Sequence, residues 1–218
     1  AFSGMLISGT RGAIAVPFAG FALYLMLSRR VKMIIIGGIA MIAVFGILKF
    51  TTLGESVYEI RRFRDALDPE NPSLMVRKEN KAKFKVYLAD RPFGGGIGSA
   101  GNWGLRFTPG TFLAETPPDG WYVQIWAEQG IVGLILHLSI LGYVLLKSIY
   151  IIMFQLKNPE NVARAMAFSA GMFGVMAASY TSGALGQMPN GIIIYSGMAY
   201  IFIIKDWEQN GESRLQKH

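Results

Sequence analysis

The chain has 218 residues, no cysteine and a formal net charge of +7 at pH 7. Only 16% of its residues are charged and 52% are hydrophobic, whereas soluble domains carry about a quarter charged residues. This balance excludes an ordinary soluble domain and indicates a membrane protein. The lack of cysteine excludes a disulfide framework and a thiolate metal site. Because Ala1 and its neighbours read as the end of an apolar segment, we expect the C-terminal part of a longer chain.

Two apolar runs come first, over residues 12–28 and 33–50, and each is long enough to predict a transmembrane helix. Pro17 predicts a kink in the first of them. Residues 1–50 are therefore predicted to hold the first two spans. A polar segment follows over residues 51–120, and it contains nearly all the candidate chemistry.

Three further apolar runs follow that polar segment, over residues 121–147, 164–180 and 191–204. We assign residues 121–205 to spans three to five and residues 206–218 to a cytoplasmic tail. The last run is short, and a re-entrant segment is the alternative to a fifth span. The fourth run is rich in Gly, Ala and Ser, which let membrane helices pack closely. The predicted fold is thus all-α, a polytopic transmembrane helix bundle with a long, partly helical loop.

Basic residues in the short connections predict the orientation of this bundle. With five spans they share one side of the membrane, and the positive-inside rule makes that side cytoplasmic. Residues 51–120 then face outward as a periplasmic loop, since long segments cross largely regardless of charge. The basic residues that define the cytoplasmic side are Arg29, Arg30, Lys32, Lys147, Lys157, Arg164, Lys205, Arg214 and Lys217.

The loop contains a predicted amphipathic helix from about residue 73 to residue 89, with Ser73 as its N-cap and Arg91-Pro92 as its end. Its basic stripe comprises Arg77, Lys78, Lys81 and Lys85, and its apolar face comprises Met75, Ala82, Val86 and Ala89. The stripe has two interpretations, binding of anionic headgroups or of a diphosphate. The lysines favour headgroups, and Arg77 favours the diphosphate.

Arg11, in "SGTRG", stands just before the first span. It is either a guanidinium that binds phosphate oxygens at the membrane edge or an anchor that reaches to the interface. Asp119 precedes the third span, where it is a helix N-cap or a general base. Glu128, further along that run, is a costly carboxylate unless it is paired, and a structural pairing with an arginine is the favoured interpretation.

The stretch "GGGIGSAG" matches a dinucleotide fingerprint through Gly96, Gly98 and Gly101, but no strand and helix of a βαβ unit surround it. We reject that fingerprint and retain a turn in which the backbone approaches a ligand or a helix. No metal-binding pattern is present. Nucleic-acid binding is not expected, because the positive charge follows the loop sides and no recognition module is visible.

Three blocks, "SGTRG", "RPFGGGIG" and "PDGWYVQIWAEQGIVGLIL", occur in an order that resembles the O-antigen ligase and O-antigen polymerase superfamily. The resemblance covers roughly residues 3–140. It implies a transferase in the bacterial inner membrane, working at the periplasmic face without a metal or nucleotide cofactor. Its donor would be a glycan on undecaprenyl diphosphate, and its acceptor a sugar, lipid or protein.

The resemblance also assigns roles to residues. Arg11 and Arg77 match family arginines, and both would neutralise the diphosphate leaving group. The family's His-Asn is replaced by Asp119-Gly120, so Asp119 is the candidate general base. Glu128 matches the Glu of Glu-x-Gly, and we expect it to contact substrate. Four further residues are predicted to do so, namely Arg91, Lys81, Gly96 and Gly98.

Two other functions compete with the transferase. The first is a transporter or flippase-like module, in which the same arginines bind a phosphorylated, lipid-linked glycan in transit. Pro17 and the glycine-rich fourth run are the features that favour it. The second is a purely structural membrane subunit, which accounts for the spans but not for the motifs of the loop.

Overall fold

The structure, a computed structural model, describes residues 11–50, 61 and 71–215, with side chains over 15–47, 49–50, 61 and 71–209. Throughout these residues the regular elements are helices, and they include no strand, which confirms the all-α class. The helices are α1 (Arg11–Leu27), α2 (Val31–Phe50), α3 (Pro72–Tyr87), α4 (Gly101–Phe107), α5 (Phe112–Glu115), α6 (Trp121–Tyr150, continued by a π-helical turn, Ile151–Gln155), α7 (Pro159–Ala178) and α8 (Asn190–Leu215).

Each of the five predicted spans overlaps a long helix, namely α1, α2, α6, α7 or α8. Among the described residues, one helical run, Trp121–Gln155, is long and apolar enough to cross a membrane. Ala15–Leu27 and Val31–Ile47 are shorter apolar helices. The number of spans, and the assignment of residues 51–120 to a periplasmic loop, therefore stay predictions.

The described chain divides into two compact units. The first is built mainly from residues 71–141 and 179–184, and the second from residues 13–50, 142–178 and 185–215. The first unit contains α3, α4, α5 and the beginning of α6. The second unit contains α1, α2, α7, α8 and the rest of α6.

The core of the first unit joins α3 to the start of α6. Its buried side chains are Phe84, Leu88, Ala100, Leu113, Val123 and Ala127. Phe112 packs edge-on against Phe84 with 5.9 Å between ring centroids, and it stacks on Tyr87 at 4.5 Å. Burial of these aromatic and aliphatic groups holds α3 against α6.

Helix α3 forms where the sequence predicts it, but it begins and packs differently. Asn71 is the N-cap, accepting from Ser73 N at 3.0 Å, and Pro72 opens the first turn. The buried positions are Asn80 and Phe84, whereas Met75 and Val86 are exposed. The residues of this segment that enter the core are therefore Phe84 and Leu88, which do not belong to the predicted apolar face.

Helix α6 is broken at Gly130, where φ is 67° and ψ is −168°. Trp121 Nε1 donates to His137 Nε2 at 3.1 Å, yet a straight helix would separate these residues by about 24 Å along its axis. The chain must therefore turn sharply at Gly130, so that the segment before the break lies beside the segment after it. The predicted third span, residues 121–147, is not one straight helix.

The loop after α3 bonds the backbone groups that this break releases. Gly95 N donates to Ala127 O at 3.0 Å, and Gly96 N donates to Glu128 O at 2.8 Å. Val132 N, which loses its helical acceptor, donates to Pro92 O at 3.2 Å. These hydrogen bonds interlock the loop and α6. They also satisfy backbone groups of the broken helix that would be costly to leave unbonded away from water.

In the second unit, glycines bring α1 and α7 into close contact. A Cβ atom on Gly20 would lie 2.8 Å from Ala170 O, and one on Gly174 would lie 2.4 Å from Val16 O. This is the packing by small residues that the composition of the fourth run predicts. The buried core nearby draws on α1, the π-helical turn, α7 and α8, with Leu23, Leu27, Ile151, Ile152, Leu156, Ala165, Met166, Ile201 and Ile204.

Glu208 of α8 caps the start of α7. Its Oε1 accepts from Lys157 N at 2.7 Å and Asn158 N at 3.0 Å, and its Oε2 accepts from Asn161 Nδ2 at 2.9 Å. Burial raises the pKa of Glu208, but the three hydrogen bonds and the charge of Lys157 outweigh burial, so the pKa is lowered overall. This capping contributes above the unfolded pKa and is lost as pH falls through the folded one.

Candidate active site

Asp119, which ends the polar segment, contacts two residues of α3. Its Oδ1 lies 3.9 Å from Arg77 Nε, and its Oδ2 accepts from Asn80 Nδ2 at 3.2 Å. The Arg77 and Asp119 side chains are 27% and 25% exposed, while Asn80 is only 8% exposed. The site thus has a partly open carboxylate and guanidinium above a buried amide.

The distance between Arg77 and Asp119 affects what the guanidinium can do. At 3.9 Å the two groups attract each other as an ion pair, but the separation exceeds that of a direct hydrogen bond. A guanidinium carries five N–H donors in a planar fork that matches phosphate oxygens. Arg77 is therefore placed to attract a phosphate group next to a carboxylate.

Lys81 lies one helical turn after Arg77 and contacts Tyr180. Its Nζ is 3.2 Å from the Tyr180 hydroxyl and 4.3 Å from the centre of the ring. Tyr180 is itself 61% exposed. A cation held by an exposed aromatic ring at the edge of the site extends the positive surface beyond Arg77.

Gly120 and Trp121 fasten the segment around Tyr180 to the site. Trp121 N donates to Ser179 O and Ser182 O, both at 3.0 Å. A Cβ atom on Gly120 would lie 2.4 Å from Tyr180 O. A side chain at position 120 would therefore push this segment away, which explains why glycine follows Asp119.

Arg91, predicted to contact substrate, stacks on Tyr87 with its guanidinium carbon 3.9 Å from the ring centre. Tyr87 in turn stacks on Phe112. This arrangement fixes the guanidinium by a cation–π contact. Among the described residues Arg91 forms no ion pair with Asp119, so its place in the site stays a prediction.

Gly96 and Gly98 adopt positive φ angles of 106° and 78°. A Cβ atom on either would meet nothing within 4 Å. Glycine is needed here for its backbone conformation, and Gly96 also bonds α6 as described above. Substrate contact by these two glycines stays a prediction.

Glu128 is 6% exposed, and its Oε1 accepts from Gln124 Nε2 at 3.1 Å. Within the described part of the chain, no arginine forms an ion pair with it, and the expected pairing is not seen there. Its backbone oxygen belongs to the contact with Gly96. The described contacts of Glu128 are structural, and a substrate contact stays a prediction.

Arg11 begins α1, but its side chain lies outside the described residues, so its predicted role is not tested. Among the described residues, no group of three or more His, Cys, Asp and Glu side chains is placed to hold a metal ion. Of the predicted site residues, the structure brings Arg77 and Asp119 together, and Lys81 lies one helical turn after Arg77.

Sequence reasoning missed two residues of this site, Asn80 and Tyr180. A polar residue at position 80 stands on the same face as Phe84, four residues later, but helical spacing alone does not tell which face is buried. Tyr180 comes from the end of a predicted span, far from the loop in sequence. Its proximity to Lys81 arises from tertiary contacts that no local pattern contains.

The comparisons with known proteins add one match. A protein-family model described as O-antigen ligase matches residues 1–138. These residues include Arg77, Asn80, Asp119 and the glycine-rich loop. No curated protein and no solved structure matches the chain.

Proposed function

Because the chain belongs to the O-antigen ligase family, we propose that it is a membrane glycan transferase whose reaction takes place beside Asp119 and Arg77. The family supports the class of reaction, a ligase or polymerase acting on lipid-linked glycans. One observation carries the proposal further. A carboxylate and a guanidinium separated by 42 positions in sequence lie 3.9 Å apart.

In the proposed reaction, Asp119 accepts the proton of an acceptor hydroxyl, and the hydroxyl oxygen attacks the anomeric carbon of the donor glycan. The bond from that carbon to the diphosphate breaks as the new glycosidic bond forms, so the configuration inverts. The electron pair leaves with undecaprenyl diphosphate. Arg77, together with Arg11, stabilises the negative charge on the leaving group. No metal ion takes part in the scheme.

This assignment predicts the effects of removing either group. The assay reconstitutes the full-length protein with an oligosaccharide on undecaprenyl diphosphate and follows transfer or chain growth. Arg77→Ala removes one charge-stabilising group and is expected to slow transfer roughly 100-fold or more. Asp119→Asn removes the base and is expected to slow it by about 100- to 10,000-fold.

Lys83→Ala is the matched control, because it also removes a cation from α3. Lys83 forms an exposed ion pair with Glu79 at 2.9 Å, and such pairs contribute little to stability. Transfer at the wild-type rate by both Arg77→Ala and Asp119→Asn would contradict the proposed site. The ladder of product sizes distinguishes a polymerase from a ligase, since only repeated transfer lengthens the chain.

Transport is the second candidate, and the break at Gly130 is the observation that favours it, because broken helices line the binding sites of many transporters. The loop bonds the released groups Ala127 O, Glu128 O and Val132 N, so the break is part of a structural contact. Movement of labelled lipid across liposomes without formation of a glycosidic bond would support transport instead.

A further inference from the structure

Five large apolar side chains in the segment 93–107 face outward although this segment lies in the predicted aqueous loop. They are Phe93 at 72% exposure, Ile97 at 84%, Trp103 at 54%, Leu105 at 54% and Phe107 at 65%. We call them the exposed loop residues. Exposed apolar side chains in such number on one short segment mark an interaction surface.

The segment 93–107 is hydrogen-bonded to α6 at the point where the side chains of that helix become exposed. None of residues 121–130 is exposed, whereas Ile131 and Val132 are 47% and 45% exposed. Further along, Ile135 and Leu136 are 57% and 61% exposed. The apolar face that suits lipid contact therefore begins directly after the break at Gly130.

Hydrogen bonds of neighbouring residues place two of the exposed loop residues, Phe93 and Ile97, at this same level. Phe93 follows Pro92, whose oxygen accepts from Val132 N, and Ile97 follows Gly96, whose N–H donates to Glu128 O. Phe93 and Ile97 are thus each one residue away from a contact with the boundary on α6. Two exposed apolar side chains of the loop therefore lie next to the point where exposed apolar side chains begin on α6.

Helix α4 adds the side chains that favour a lipid interface. Trp103 and Phe107 stack with 5.9 Å between ring centroids, and the Arg106 guanidinium carbon lies 5.9 Å and 5.5 Å from the two ring centres. Gly104 alone is buried in this helix. Tryptophan is enriched at the headgroup level of membranes, and arginine is attracted to anionic headgroups.

We infer that the segment 93–107 docks on the lipid bilayer, with the exposed loop residues at the boundary between headgroups and acyl chains. Its backbone tolerates this position because Gly95 and Gly96 donate to α6. From Ile131 to Tyr150, α6 then has about 30 Å of helix, the thickness of the hydrocarbon core. The break at Gly130 marks the membrane surface, and the inference does not depend on the proposed reaction.

A label at Ile97 tests this placement. The chain has no cysteine, so Ile97→Cys gives a single labelling site once any cysteine elsewhere in the full-length protein is replaced. The nitroxide-labelled protein is reconstituted in bilayers that contain anionic lipid. Its collision rates with oxygen, which concentrates in lipid, and with a water-soluble nickel chelate are then measured.

Two reference variants define the scale. Lys83→Cys, on the exposed surface of α3, gives the response of a label in water, and Ile135→Cys, on α6 beyond the break, gives that of a label in lipid. We expect the ratio of oxygen to nickel collisions at position 97 to exceed that at position 83 at least several-fold and to approach that at position 135.

Two results would overturn the inference. A ratio at position 97 equal to that at position 83 would place the segment in water. Protection from both reagents would show that another protein surface covers it. Phe107→Cys repeats the measurement on α4, so a local disturbance by the label at position 97 cannot decide the outcome.

Discussion

At the residue scale, Asn80 holds Asp119 in position. Its amide nitrogen donates to Asp119 Oδ2 at 3.2 Å and lies 3.5 Å from Pro117 O. Since Asn80 is buried, these contacts limit the orientations open to the carboxylate. The remaining oxygen, Oδ1, is the one near Arg77, and the proposed reaction leaves it as the proton acceptor.

Exchanging the two residues distinguishes positioning from mere stability. Asn80→Asp alone places an oxygen against Asp119 Oδ2, and we expect it to destabilise the fold by about 1–3 kcal/mol and to reduce transfer. The double variant Asn80→Asp with Asp119→Asn restores one donor and one acceptor at this contact. We therefore expect its melting temperature to recover while transfer remains roughly 100-fold or more below wild type.

The comparison requires melting curves in detergent and transfer rates for wild type, both single variants and the double variant. If the double variant recovers transfer as well as stability, the reaction does not require a carboxylate at position 119, and the contact between positions 80 and 119 is only structural. Separate values of kcat and KM add a check, because mispositioning of a base lowers kcat more than it raises KM.

At the element scale, the break in α6 depends on two glycines that face each other. A Cβ atom on Gly130 would lie 2.0 Å from Pro92 O, and one on Gly94 would lie 2.4 Å from Gly130 N. Both residues have positive φ, 67° and 73°. The loop and the helix can approach this closely only because neither position carries a side chain.

Substitution of Gly130 by alanine is expected to destabilise the protein by roughly 2–4 kcal/mol. About 1–2 kcal/mol comes from the positive φ, and the rest comes from the contact with Pro92 O, which the backbone relieves only by losing its bond to Val132 N. Gly96→Ala separates these contributions, since its φ is 106° but a Cβ atom there has open space. We expect Gly96→Ala to cost about 1–2 kcal/mol.

Gly142→Ala is the matched control in the same helix. Nothing lies within 4 Å of a Cβ atom at position 142, and alanine favours helix over glycine by up to about 1 kcal/mol. Stability is followed by denaturant or thermal unfolding of the purified protein in detergent. Equal unfolding midpoints for Gly130→Ala and Gly142→Ala would refute the interlocked contact.

At the scale of the whole molecule, the long apolar helices were predictable because their length and composition suffice to indicate them. The break in α6 was not predictable, since a single glycine inside an apolar run is common. The positive φ of Gly130 is stabilised by Pro92 and its neighbours, which precede it by more than thirty positions. The face of α3 that packs inside the protein was not predictable for the same reason, because Phe84 and Leu88 pack against core residues that are distant in sequence.

The site was predictable to a similar degree. Arg77 and Asp119 followed from motifs and their order, and the structure brings them together. Asn80 and Tyr180 carry no motif, and tertiary packing alone brings them to the site. The motif "GGGIG" predicted a close approach of backbone to a helix or a ligand, and the helix proves to be α6.

The orientation of the whole chain remains a prediction, and single cysteines test it. The basic connections predict that Lys83 lies on the periplasmic side and that Lys157, beyond α6, lies in the cytoplasm. In spheroplasts, a membrane-impermeant thiol reagent should label Lys83→Cys, and it should reach Lys157→Cys only after permeabilisation. Ile140→Cys, exposed on α6, should resist labelling under both conditions because an ionised thiolate does not form in lipid.

Each other pattern of labelling has a distinct physical meaning. Labelling of positions 83 and 157 from the same side would mean that α6 does not cross the membrane between them. Exchange of the two sides would retain the crossing but place Arg77 and Asp119 in the cytoplasm, away from a glycan donor presented at the periplasmic face. Only the predicted pattern of labelling is compatible with transfer at the outer surface. In that pattern α6 crosses the membrane, with Arg77 and Asp119 on the periplasmic side and Lys157 in the cytoplasm, as the positive-inside rule predicts.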